Sequence, residues 1–207
     1  QQNSAQGTEA ADISQNNDIA SMNQDIVADN TCDQTGLGDN LADCGAGGEN
    51  RINPISQQNS AEGDLFSDVS QENDAAFSQS IDGSNDCDET TFVATSENNE
   101  AECGNGADNF IDQVGQFNGA TASDDSLIDQ ENIVDITQNL VADNTCDGTG
   151  TSTADCFNTL ARNNINDITQ GNTATGSDAA VILQSNNADI DQNMVLLNDC
   201  DETELGS

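Results

Sequence analysis

The chain has 207 residues and a formal net charge of −37, with Arg51 and Arg162 as its cations and no histidine, tyrosine or tryptophan. That balance excludes nucleic acid and anionic membrane surfaces as partners, since both would be repelled. With no lysine either, it removes most general bases, Schiff bases and haem attachment through histidine, so no enzyme is expected.

Four copies of one pattern fill the chain as a single repeat domain, at about 1–54, 55–113, 114–167 and 168–207. Low aromatic content and high charge would also permit disorder, but disorder does not explain β-branched residues held at fixed places in four copies. The first phrase of each copy carries Gln1, Gln57, Gln116 and Gln170, followed two residues later by Asn3, Asn59, Asn118 and Asn172. The second phrase follows 14 residues after the first glutamine, with Gln15, Gln71, Gln130 and Gln184 and then Asn17, Asn73, Asn132 and Asn186. The third places Gln79, Gln138 and Gln192 another 8 residues on, with Asn23 standing in that place in the first copy.

Within each phrase the period is two. Val69, Gln71, Asn73 and Ala75 alternate with Ser70, Glu72 and Asp74. Alternate residues of a strand share a face, so the constant set reads as interior and the variable, often acidic set as solvent-facing. The predicted fold is all-β, a β-solenoid of four stacked copies with about three short strands each plus a disulfide-closed loop. Stacked in register about 4.7 to 4.8 Å apart, each buried amide donates to one neighbour and accepts from another. That arrangement avoids the ~1 to 3 kcal/mol cost of an orphaned buried amide.

The cysteine segment that closes each copy absorbs the differences in repeat length. Local spacing predicts disulfides Cys32–Cys44, Cys87–Cys103 and Cys146–Cys156, each stabilising by about 2 to 4 kcal/mol on the chain-entropy model. Cys200 then stands unpaired, or bonded outside the chain. Asp29 with Asp33, Asp86 with Asp88, Asp143 with Asp147 and Asp199 with Asp201 flank the first cysteine. Hard oxygen ligands of this kind suit calcium, the one cofactor the sequence admits, although the spacing completes no EF-hand. Divalent cations are accordingly an expected partner.

No stretch approaches the roughly 20 apolar residues of a membrane span, and no basic segment precedes an apolar one at the start. Seven cysteines and an opening directly inside a repeat phrase lead to the expectation of a secreted, extracellular or cell-surface protein from which an export signal has been removed. With no capping unit evident at either end, the strand edges are expected to drive head-to-tail homopolymerisation.

Asn73, Ala75 and Gln79 in NDAAFSQ, and Asn186, Ala188 and Gln192 in NNADIDQ, match the NxAxxxQ half of the curlin repeat. NIVDITQ from Asn132 matches with valine for alanine. The chain thus resembles curlin subunits as a distant analogue, with a longer unit, QxN in place of QxGxxN, and added cysteines. The resemblance implies a secreted β-solenoid with inward Gln and Asn ladders that assembles into amyloid-like fibres of a biofilm matrix. The alternative is a soluble acidic adhesin or surface protein that binds calcium or mineral through its outward carboxylates.

Overall fold

The computed structural model describes residues 1–32, 34–36, 41–91, 99–123, 125–149, 152–158, 161–177 and 179–203, with positions 34–36, 41–44, 88–91, 99–103, 105, 147–149, 152–158 and 202–203 as backbone only. Among these residues the structure is all-β. The strands are β1 (Gln2–Gln6), β2 (Asp12–Thr31), β3 (Gln34–Gly36), β4 (Leu41–Ile52), β5 (Ile55–Glu62), β6 (Asp68–Thr91), β7 (Asn99–Ala122), β8 (Leu127–Thr149), β9 (Ser152–Asn158), β10 (Arg162–Gly176) and β11 (Val181–Thr203).

Two parallel sheets result. One runs β1-β5-β7-β10, with β4 and β9 also pairing with β7; the other runs β11-β8-β6-β2, with β3 pairing with β6. The register joins like to like. Gln71 lies between Gln15 and Gln130, Asn132 between Asn73 and Asn186, and Cys146 between Cys87 and Cys200.

The period-two pattern produces this register because one face of each strand is buried. Val69, Gln71, Asn73, Ala75, Phe77, Gln79 and Ile81 are all buried and share one face of β6. A slip of one residue would turn every one of them to solvent. The two sheets close on each other through Ile52, Ala75, Phe77, Ile111, Val114, Val134 and Ile136, drawn from both sheets. A second cluster of Ile13, Ala61, Val69, Ala120, Ala122 and Ile128 fills the space beside the turns that join the sheets.

The expectation of three short strands per copy is corrected. The second and third phrases form one continuous strand, 24 residues long in β6 and 23 in β8 and β11. The physical reason lies in parity: Ala75 and Phe77 stay two residues apart, with no glycine or proline between them to turn the chain, so the buried face runs on unbroken. The opposing side of each copy is made by the second cysteine strand and the first phrase, continuous in β7.

The turn from the first phrase to the second places a left-handed residue at the equivalent position of each copy. Ala10, Phe66, Asp125 and Ala179 occupy it with φ of 55°, 59°, 53° and 61°. Adjacent turns are tied by Gly7 N–H donating to Glu62 O at 2.9 Å and Ala10 N–H to Leu65 O at 2.7 Å.

Length differences between copies fall mainly between the two cysteine strands. Four residues separate Gly36 from Leu41, seven separate Thr91 from Asn99 and two separate Thr149 from Ser152. A smaller adjustment sits in β2, where the register shifts between Ile19 and Met22. This bulge places one extra residue opposite β6 and bends the strand locally.

Candidate functional site

The amides predicted to line the interior form continuous columns across the copies. Gln116 Nε2 donates to Gln57 Oε1 at 2.9 Å, and Gln170 Nε2 to Gln116 Oε1 at 2.9 Å. In the opposite sheet Gln71 donates to Gln15, Gln130 to Gln71 and Gln184 to Gln130, each at 2.8 Å. The third column runs from Gln192 to Gln138 and from Gln138 to Gln79.

In the first copy that column ends on Gln24, which accepts from Gln79 Nε2 at 2.8 Å. Spacing alone places Asn23 there. The bulge between Ile19 and Met22 moves the parity by one residue, so Asn23 pairs with Ser78 and Gln24 with Gln79. Counting along the sequence missed it because a bulge changes the count without changing the face.

The asparagines interlock across the sheets. Asn59 Nδ2 donates to Asn73 Oδ1 at 3.2 Å in the facing sheet and to Asn118 Oδ1 at 3.1 Å in its own. Asn73 Nδ2 continues to Asn118 at 2.9 Å and Asn132 at 2.9 Å, and Asn132 Nδ2 reaches Asn172 at 2.8 Å and Asn186 at 2.9 Å. At the other edge Asn3 donates to Asn17 at 3.0 Å and Asn59 at 3.1 Å. Main-chain carbonyls take the remaining protons, as where Gln57 Nε2 meets Asn17 O and Asp74 O, both at 2.9 Å. Such satisfaction keeps fully buried amides from destabilising the core and lets neighbouring bonds polarise one another.

Two further columns lie outside the three repeated phrases. Asn30 donates to Asn85 at 3.3 Å, Asn85 to Asn144 at 3.0 Å and Asn144 to Asn198 at 2.9 Å. Asn50 donates to Asn109 at 3.0 Å and Asn109 to Asn163 at 2.9 Å. The first was signalled by an asparagine two residues before the first cysteine in every copy, with the cysteine's own parity.

The first cysteines form a column on the same buried face: Cys32 follows β2, Cys87 and Cys146 are fully buried, and Cys200 lies on β11. The second cysteines, Cys44, Cys103 and Cys156, stack in the other sheet. Cys32 and Cys87 are disulfide-bonded, and so is Cys200, within this one chain. The expectation that Cys200 is unpaired or intermolecular is therefore corrected. Local spacing considered only partners in the same copy, whereas β9, which carries Cys156, contacts β11 as well as β8. The side chains of Cys44, Cys103 and Cys156 lie outside the described residues, and the individual pairings with them.

Outward positions stack carboxylates as the inward ones stack amides. Glu72 pairs with Glu131, Asp12 with Asp68 and Asp18 with Asp74. Burial pushes the Asp74 carboxyl above the ordinary aspartate range, Asp18 adds to the shift, the Ala75 N–H opposes it and Asp135 raises it further. Of the acids proposed for calcium, Asp29 and Asp143 fall in one column and Asp86 and Asp199 in the next. Asp33, and the side chains of Asp88 and Asp147, lie outside the described residues. No group of three or more histidine, cysteine or acidic side chains converges among the described residues.

The edges are where inner order meets solvent. In β8, Ile136 and Leu140 are fully buried, whereas Ile190 and Met194, their register partners in β11, are 46% and 41% exposed. Comparison with protein-family models, curated proteins and solved structures finds no match for this chain. No helix among the described residues is long and apolar enough to cross a membrane.

Proposed function

We propose that the four copies coil as a β-solenoid and that the protein is a secreted structural subunit, polymerising by end-to-end addition into an extracellular, amyloid-like filament of a biofilm matrix or adhesive layer. One observation carries this reading. β11 exposes the same ladder residues that β6 and β8 bury, and β2, the strand at the opposite edge of that sheet, carries Gln15 and Asn17, both buried, in the same columns. A second copy laid against β11 meets a surface equivalent to the one β11 already offers to β8. Open parallel edges of this kind template further strands. The curlin-like NxAxxxQ segments fit the same role, since they lie along β6, β8 and β11.

The experiment is direct. Purified chain is concentrated in the presence of sodium chloride or calcium, which screens the −37 charge, and is imaged by negative stain. Filaments with a cross-β spacing support the reading; a stable monomer under all these conditions defeats it.

The stacked outward carboxylates favour a second reading, a soluble calcium- or mineral-binding surface protein. Saturable, stoichiometric calcium binding by a stable monomer in calorimetry would select it over the filament.

A further inference from the structure

The amide columns are one-way, and the glutamine and asparagine columns run in opposite directions. Along the inward glutamine columns the bonds donate toward the first copy, from Gln184 to Gln130 to Gln71 to Gln15. Bonds along the asparagine columns donate toward the last copy, from Asn17 to Asn73 to Asn132 to Asn186. The directions are fixed, because amide nitrogens of both kinds also donate to main-chain carbonyls. Gln116 Nε2 meets Ile133 O at 2.7 Å, and Asn118 Nδ2 meets Glu131 O at 3.0 Å. Reversing a column would set oxygen against oxygen at each of these contacts.

The two end faces are consequently different and complementary. On the β11 face, Gln184 has an acceptor oxygen and Asn186 a donor nitrogen, neither engaged in a hydrogen bond among the described residues. Across the chain on the β2 face, Gln15 Nε2 has no partner among the described residues, and Asn17 Oδ1 accepts sideways, from Asn3 Nδ2.

We infer that the partner of the β11 face is the β2 face of a second copy, in the register that sets Gln184 on Gln15, Asn186 on Asn17 and Gln192 on Gln24. This rests on the filament reading above and specifies its contact. In that register the glutamine and asparagine columns continue through the junction with the like-on-like pairing present between β6 and β8, the extra residue of the β2 bulge being taken up between them. Joining two β11 faces sets glutamine oxygens against oxygens and asparagine N–H groups against N–H groups, and joining two β2 faces does the same with the roles exchanged. Unlike-face addition propagates into an open filament, whereas like-face contacts close as dimers. The polar ladder thereby specifies direction as well as stability.

Crosslinking tests the orientation. Ser14 on β2 and Leu183 on β11 are both exposed, and both belong to the outward column that includes Ser70 and Asp129. In the proposed register they sit on neighbouring strands roughly 4.8 Å apart. Ser14→Cys and Leu183→Cys chains are assembled separately and as a mixture, imaged, and treated with a short bismaleimide. Wild-type filaments are the blank, and a Ser70→Cys, Asp129→Cys chain establishes that the reagent reaches between adjacent strands. The expected result is crosslinked dimer in the mixture at ten-fold or more the level in either variant alone. Dimer formed by one variant alone means like faces meet and overturns the inference. Filaments that give no dimer in the mixture mean another register or strand exchange, and overturn it equally. Absence of filaments in all samples removes the filament reading itself, and this contact with it.

Discussion

Replacing Gln130 with leucine isolates what one rung of a ladder contributes. Gln130 is fully buried, donates to Gln71 Oε1 at 2.8 Å and accepts from Gln184 Nε2 at 2.8 Å. Leucine fills a similar volume without a polar atom. Gln71 Oε1 is then buried with no donor, a loss of about 1 to 3 kcal/mol. Gln184 stands at the exposed edge, where water replaces the lost acceptor, so its share is small. At about 2 to 4 °C per kcal/mol for a domain of this size, the melting midpoint should fall by roughly 2 to 12 °C. The companion variant changes Gln15, Gln71, Gln130 and Gln184 together to leucine. It leaves no orphaned partner along the column, and replacing both partners by apolar groups can be nearly neutral. The assay is thermal melting by circular dichroism at low protein concentration with disulfides intact. A Gln130→Leu chain as stable as the parent, with the column variant no better than the single one, would refute the reasoning that paired amides hold the interior.

Three further outcomes are expected. Asp74→Asn should raise the melting midpoint at pH 7, because the folded state holds the Asp74 carboxyl above its ordinary value. Its ionisation weakens the fold as pH rises through the shifted range, so the gain should vanish near pH 3, below the ordinary aspartate value of about 3.9; a gain that persists at pH 3 would point to another cause. Phe66 holds φ of 59°, where a non-glycine residue is strained by ~1 to 2 kcal/mol. Phe66→Gly should therefore stabilise by about 1 kcal/mol or less after glycine's own entropy cost, read as a higher urea midpoint, and a lower midpoint would show that the turn favours a side chain. Finally, proteolysis of unreduced monomer followed by mass spectrometry should find the Cys200 peptide joined to another peptide of the same chain, whereas a reductant-sensitive dimer through Cys200 would contradict the structure.

Much of the buried face was legible because period-two alternation survives in the residues themselves. Val69 through Ile81 names its interior face without reference to coordinates, and the register of Gln71 with Gln15 and Gln130 follows from aligning like phrases. Strand length was not legible, since a phrase boundary in the text between Ala75 and Phe77 is no boundary in the backbone. Gln24 was hidden by a bulge, a backbone event that leaves no fixed residue signature. The bonding of Cys200 was hidden because stacking brings β9 alongside both β8 and β11. Sequence spacing ranks partners by distance along the chain, and a parallel stack makes residues more than fifty positions apart into neighbours. The direction of the amide columns was invisible for a different reason: it depends on which main-chain carbonyl each Nε2 or Nδ2 can reach, and only geometry supplies that.

Diffraction from oriented filaments tests the central claim most directly. If copies add end to end with their strands stacked along the filament, a meridional reflection near 4.7 to 4.8 Å should appear. Four stacked copies per chain should give a subunit rise of about 19 Å along the same axis. Filaments whose strands run along the axis, with no meridional spacing of this kind, would contradict the account, as would a chain that stays monomeric when concentrated in salt and calcium.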